Sequence, residues 1–441
     1  MERLERLKAQ AIADPALIGR ADVFDSLSSA SQDRIRSLVA SIDFSFDVLG
    51  RRHPDAAEAF LALSLFPAGL PEPVALAVTG GPDSLALDHL YRYHLLEWNR
   101  ERTFYPVPLH WYAEHRRQRA ALAHDTYFAR ALPAYADYIE QCNEGLIRDQ
   151  SPVWTERWLL EEDTLLALSG WVVAWETRSP GGSALAQIAS AGKNLLNLLD
   201  RLESWATLAG RGLRDAERQG DRGGEANCLQ ALGDLALRQA DLAAADRHYQ
   251  AALPLFRAIQ ARLGEANCLQ SLGRLLLARN ELAAAFGRFL DVLAVFQEIR
   301  DGLGEQAAFG YLARTAATVG HTDQALALAE RSRQIGRAID DRFGQLINLE
   351  LQTSLLGNAE EMEAALAAVA LHQQLAVAIQ DQNKIERYRS WLERVRQEIP
   401  ADVWEQFEQS AEAILAQAVA AAEQRLGGRD PLVWVESIIP Q

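Results

Sequence analysis

The chain has 441 residues, 49% of them hydrophobic, and a formal charge of −16. That length calls for more than one cooperating unit, and the acidic balance works against general affinity for nucleic acid, which relies on basic surface. No apolar run approaches the ~20 residues of a membrane span, the charged start MERLERLKAQ lacks the apolar core of a signal peptide, and three cysteines without paired spacing point to reduced thiols in a cytoplasm.

Residues 1–40 read as a polar helical lead-in. Over 41–125 the texture changes to prolines, aromatics and short apolar runs. A helix closing at Phe60–Phe66 is followed by one through Val74–Val78 and, after the turn Gly80-Gly81-Pro82, by one from a capping Asp83 to about Tyr93. Leu95–Trp98 and Thr103–Tyr105 flank a polar turn and predict a β-hairpin. Helices followed by a hairpin form a winged-helix-like pattern. Residues 126–222 read as a helical linker ending in a degenerate repeat from about 184. In it, Trp154/Trp158 and Trp171/Trp175 share helix faces as packing anchors, and Glu161-Glu162-Asp163 reads as a solvated helix face.

From residue 223 to 400 a forty-residue period governs the chain. Gly224-Glu225-Ala226-Asn227-Cys228-Leu229-Gln230 recurs as Gly264-Glu265-Ala266-Asn267-Cys268-Leu269-Gln270, and returns in part at Gly304-Glu305-Gln306-Ala307 and at Gly344-Gln345-Leu346. A period of this size marks a solenoid whose units bury their apolar faces only by stacking. Each unit reads as helix A, then helix B: Glu225–Gln239 with Leu242–Arg262, then Glu265–Arg279 with Leu282–Arg300. Asp241 caps the first helix B, and Gly264 and Gly304 end the helices before them. Residues 401–441 form a C-terminal helix and tail. The fold class expected is mostly all-α: an α-solenoid of helical hairpins, preceded by a helical linker and a small winged-helix-like α/β module.

The repeats resemble tetratricopeptide (TPR) repeats. Leu232-Gly233 and Leu272-Gly273 match the family's helix A, while Ala245, Tyr249 and Ala252, then Ala285 and Phe289, match its helix B. The longer period is assigned to a longer helix B. Phe44–Leu49 with Ala59–Gly69, Leu90–Leu96 and Pro108–Glu114 are similar to the winged helix of STAND-class (NB-ARC-type) signalling ATPases. In that class the winged helix precedes a linker and a sensor often built of TPR repeats. The resemblance therefore implies a role in signal transduction and a separate ATPase subunit as a partner. No G-x-x-x-x-G-K-[ST] occurs, and Gly192-Lys193-Asn194 falls in a helical pattern rather than after a strand.

No motif for catalysis or metal binding accompanies the repeats, so the chain is read as non-enzymatic, without catalytic residues, metal or cofactor. His89/His94 and His110/His115 are five apart, which does not align two ligands on a helix face. A protein or peptide partner is expected on the concave face lined by the A helices. The repeat register places there Asn227, Gln230, Asp234 and Arg238 from the first unit, Asn267, Gln270 and Arg274 from the second, and Tyr311 and Arg314 from the third. Asn and Gln can pair with peptide backbone, and Arg can hold a carboxylate bidentately. On this basis Arg274→Glu is expected to weaken capture without changing melting. The alternative is a transcription regulator whose winged helix reads DNA through Arg92, Arg100 and Arg102. The ten acidic and ten basic residues between 34 and 120 favour packing on protein instead.

Overall fold

The computed structural model describes residues 29–432 apart from 100–101, 121–123, 150–151, 175–182, 359–360, 380–381, 399 and 429. Most of the expected lead-in, the hairpin tip with Arg100, Trp175 and the C-terminal tail lie outside the described residues. The chain divides into two compact units, one of residues 1–144 with 153–221 and one of residues 145–152 with 222–441. Among the described residues, no helix is long and apolar enough to cross a membrane.

The first unit opens with α1 (Ser29–Arg52), α2 (Pro54–Leu63), β1 (Leu70–Pro71), α3 (Glu72–Val78), α4 (Ala86–Arg92), β2 (Glu97–Asn99), β3 (Arg102–Phe104) and α5 (Val107–Arg119). β2 and β3 pair antiparallel with Trp98 opposite Thr103. A third strand that the sequence pattern does not announce, β1, adds to the other side of β3. Helix α4 starts three residues after Asp83, because Gly80 and Gly81 hold φ of 115° and 101° and prolong the turn. Ser84 rather than Asp83 accepts the first amide, its Oγ 3.2 Å from Ala86 N. Phe46, Phe60, Tyr105 and Tyr112 pack edge-on or tilted on one another, and Leu49 and Phe66 are buried in the same unit.

Next come α6 (His124–Asp149), α7 (Pro152–Ala174), α8 (Ala184–Ala191), α9 (Lys193–Leu198) and α10 (Leu202–Gln219). Trp158 is fully buried against Gly192, where a Cβ would sit 2.8 Å from the indole. Trp171 donates to Asp125 Oδ1 at 2.9 Å.

The reading of Glu161 and Glu162 as solvated is corrected here, since both are buried. Glu161 pairs with Arg102 of β3 and accepts from Tyr135 at 2.9 Å. Glu162 takes both Nε and Nη2 of Arg201, at 2.9 and 2.7 Å, and the Ser204 hydroxyl. A buried carboxylate is tolerated when a cation and hydrogen-bond donors pair it in this way.

The second unit stacks four hairpins: α11 (Arg222–Arg238) with α12 (Leu242–Ala258), α13 (Arg262–Ala278) with α14 (Leu282–Ile299), α15 (Gly302–Val319) with α16 (Thr322–Ala338), and α17 (Arg342–Asn358) with α18 (Met362–Ala378). This is an α-solenoid. The odd-numbered helices of these pairs are the A helices, and each touches the next A helix as well as its own B partner.

Helix lengths of 17 or 18 residues fill the forty-residue period, so A and B share the extra length rather than B alone. Each of the six turns from α11 to α17 passes through one left-handed residue: Ala240, Asn280 and Gly320 within units, Gln260, Arg300 and Asp340 between them. Asp241 caps α12 by accepting from Ala244 N at 2.9 Å, as the sequence predicts.

Gly264 and Gly304 do not end helices; they lie inside the first turns of α13 and α15. Their role is close packing, since a Cβ on either would collide with the ring of Phe256 or Phe296. Within hairpins the same device recurs. A Cβ on Gly273 would lie 2.6 Å from Phe289, and one on Gly233 would lie 2.5 Å from Tyr249. Each buried ring contributes roughly 1.5–3 kcal/mol of apolar transfer, and only glycine admits it.

α19 (Gln382–Glu398) packs on α18, and α20 (Ala401–Arg425) folds back onto α16 and α18. Glu350 of α17 ties α19 down. It contacts His372 Nε2 at 3.2 Å, Lys384 Nζ at 2.7 Å and Arg387 Nη1 at 3.0 Å. Burial pushes its carboxyl up, but the bonds from His372 and Lys384 and the charges of Lys384 and Arg387 outweigh this and hold it at about 2. The folded value lies below the ordinary carboxylate range, so this cluster stabilises fully above about pH 4.5 and fades as pH falls towards 2. The stability difference between the natural chain and Glu350→Gln should narrow steadily from about pH 5 to pH 2 in urea titrations. A difference constant across that window would contradict the assignment.

Candidate functional site

The A helices of the second unit place the nine predicted residues in distinct settings. Asn227, Asn267 and Gln270 are half-buried, and Arg238 and Arg314 are exposed. Gln230 and Asp234 are buried, at 5% and 9% exposure, which leaves little of either for a partner. Asp234 accepts from the Tyr249 hydroxyl at 2.9 Å, Ser271 Oγ at 3.2 Å and Arg274 Nη1 at 3.3 Å. Burial pushes the Tyr249 hydroxyl well up, and Asp234 beside it adds to the effect.

Asp234 and Arg274 therefore form a bond between successive A helices. Arg274→Glu would set a second carboxylate against a buried one, so it should lower melting as well as capture. It no longer serves as a clean test of the face.

Tyr311 and Arg314 are brought together in a different way. Tyr311 stacks on Phe289, with centroids 5.0 Å apart and planes 9° apart. The Arg314 guanidinium stands 5.9 Å from the Tyr311 ring centre. Both line a pocket of about 210 Å³ between α15 and α17.

Its walls include Leu303, Phe343, Ile347 and Leu351, and its polar lining includes Gln306, Ser332, Asp341 and Asn348. None of these eight is among the nine predicted partner-binding residues. The available signal was a break in the columns: Gly310 stands where the earlier units carry Gln230 and Gln270, and Ala307 where they carry Asn227 and Asn267. Losing those side chains opens the space between the helices.

The fold and this face define a helical-repeat protein of the α-solenoid type. No protein-family model matches the chain, and no curated protein matches it. Among solved structures it is similar to BtubC from P. vanneervenii, at 16% identity over 52% of this chain and 92% of that one, with a TM-score of 0.43. It is also similar to a STAND protein with a tetratricopeptide repeat sensor from Pyrococcus horikoshii, at 14% identity and a TM-score of 0.45, covering 85% of this chain and 60% of that one. A third is a Rap protein complexed with competence and sporulation factor, at 10% identity over 70% of this chain and 96% of that one, with a TM-score of 0.46. The chain thus spans 60% of the length of the STAND protein. Overlaps of this extent describe helical arrangement alone.

Proposed function

We propose that the chain is a non-enzymatic scaffold or sensor in signal transduction that holds a peptide or protein partner along its A-helix face. One observation carries this reading. Successive A helices touch, and Tyr311 and Arg314 line the pocket between α15 and α17, so a face built from Asn227, Asn267, Tyr311 and Arg314 would run along the A helices and end in that pocket. Half-exposed amides, an aromatic ring and an arginine are groups that bind extended peptide. A separate ATPase subunit is a further partner of this proposal, through the winged-helix-like module.

The test is affinity purification from the native host with the natural chain and with Asn227→Ala/Asn267→Ala/Arg314→Glu. Recovery of the partner should fall at least tenfold while melting stays unchanged. Equal recovery would remove the face from consideration.

The DNA-reading alternative draws less support from the same unit. Arg102, one of its candidate phosphate contacts, pairs with buried Glu161 and donates to the carbonyls of Ala68 and Gly69 at 3.0 and 3.1 Å. A low-salt gel shift on pooled genomic fragments, abolished by Arg92→Glu, would restore it.

A further inference from the structure

The A helices change character between the second unit and the third. Two columns of the repeat read Asn227, Asn267, Ala307, Ile347 and Ala231, Ser271, Tyr311, Leu351. Both are polar or small in the first two units and turn apolar in the last two. Spacing of four residues keeps such positions on one helix face. α15 therefore offers Ala307 and Tyr311 beside Leu303, and α17 offers Ile347 and Leu351 beside Phe343. All six line the pocket of about 210 Å³, and Ala307 and Gly310 are too small to close it. Leu303 and Ile347 stand 45% and 40% exposed on its walls, so this apolar surface is open to a ligand from solvent.

A second column decides the charge at the rim. It reads Asp234, Arg274, Arg314, Ser354. Arg274 reaches back to Asp234 on the preceding A helix, at 3.3 Å. Arg314, one unit on, has Arg274 in that place and so inherits no anion. Its exposed guanidinium lies 5.9 Å from the Tyr311 ring centre and makes no ion pair or hydrogen bond among the described residues. The other charges beside the pocket are engaged. Asp341 accepts from Gly344 N at 3.1 Å with each oxygen, as an N-cap does. Lys384, 5.6 Å from the Phe343 ring centre, is held by Glu350 at 2.7 Å. The charge left to a ligand is that of Arg314.

We infer that this pocket receives one large apolar side chain, leucine, methionine or phenylalanine, from an extended segment of the partner, and that an aspartate or glutamate within two residues of it pairs with Arg314. The inference rests on the A-helix face being the partner-binding surface and names its anchor. A ring fits, since a cavity of about 150 Å³ admits benzene. Burial of the apolar side chain supplies most of the affinity. The ion pair sits at an exposed rim, so it adds selectivity more than strength. A lysine in place of the acid meets Arg314, and a polar side chain in place of the anchor gains nothing from the walls.

Binding of the intact protein to fluorescent hexapeptide pools, amidated at the C-terminus, tests this. Pools fixing Leu, Met or Phe at the third position should bind roughly tenfold more tightly than those fixing Ser or Gln. With that anchor kept, Glu at one position within two residues of it should bind about threefold more tightly than Gln, and Lys less tightly than either. Ala307→Ile, which sets in the gap the side chain that α17 carries at the same register, should cancel the apolar preference. Arg314→Gln should cancel the acid preference and keep the apolar one. Ala307 is half-buried and Arg314 exposed, so neither variant should alter melting. No apolar preference, or one that survives Ala307→Ile, overturns the subsite and leaves the face as partner surface standing. An acid preference that survives Arg314→Gln, or a carboxylate effect seen only when the same pools carry a free C-terminus, overturns the pairing. Binding by no pool, amidated or free, overturns the face as well.

Discussion

Gly273→Ala should destabilise the protein by roughly 1–3 kcal/mol, whereas the same substitution made on a Phe289→Ala background should stabilise it by about 0.5–1 kcal/mol. In the natural chain the new methyl would stand 2.6 Å from Phe289 Cε1 and 2.9 Å from Cδ1. Neither partner can withdraw: Phe289 is fully buried and stacked on Tyr311. With the ring gone the methyl enters free space, and alanine's higher helix propensity is all that remains. The third hairpin already contains this solution, since Ala313 and Ala329 occupy the places of Gly273 and Phe289 and are both fully buried. Urea unfolding followed by far-UV circular dichroism measures all four corners of the cycle. An equal penalty in both backgrounds would show that Gly273 is needed for its backbone rather than for the ring.

The forty-residue period and the two-helix unit were legible because burial in a stack imposes the same apolar, small and capping positions on every unit. Asp241 was read correctly as a cap for that reason. Gly264 and Gly304 were misread because glycine serves both left-handed turns and close packing. Only the ring above each one, contributed by the preceding helix B, decides between them. Conversely, the left-handed turn positions are taken by Gln260, Arg300 and Asp340, which carry no such signal.

The burial of Glu161 and Glu162 was hidden for a different reason. Their cations, Arg102 and Arg201, come from distant parts of the chain. The candidate site was legible only in part. Repetition pointed to Asn227 and Asn267 on the A-helix face, yet the pocket lies where repetition fails, at Ala307 and Gly310. A search for recurrence passes over such places.

Arg333→Ala should cost about 3–5 kcal/mol. Arg333 is 2% exposed and spans two carboxylates. Its Nε and Nη2 reach Glu330 at 2.8 and 2.9 Å, and its Nη1 reaches both oxygens of Glu412 on α20, at 3.0 and 3.1 Å. Gln352 adds a bond to Glu330 at 3.1 Å. Removing the guanidinium strands Glu330, itself 7% exposed, as an uncompensated charge between α16, α17 and α20. Two contrasts separate that penalty from the loss of a strap. Glu412 is 48% exposed at its side chain and also meets Arg337, so Glu412→Gln should cost only about 0.5–1 kcal/mol. Arg333→Met with Glu330→Leu removes both buried charges and should recover most of the loss. Hydrogen exchange across residues 401–425 reads the position of α20 directly. Protection there should collapse in Arg333→Ala, hold in Glu412→Gln and return in the double variant. If Glu412→Gln proved as damaging as Arg333→Ala, the bond to α20 rather than the buried charge would be what fixes the end of the stack.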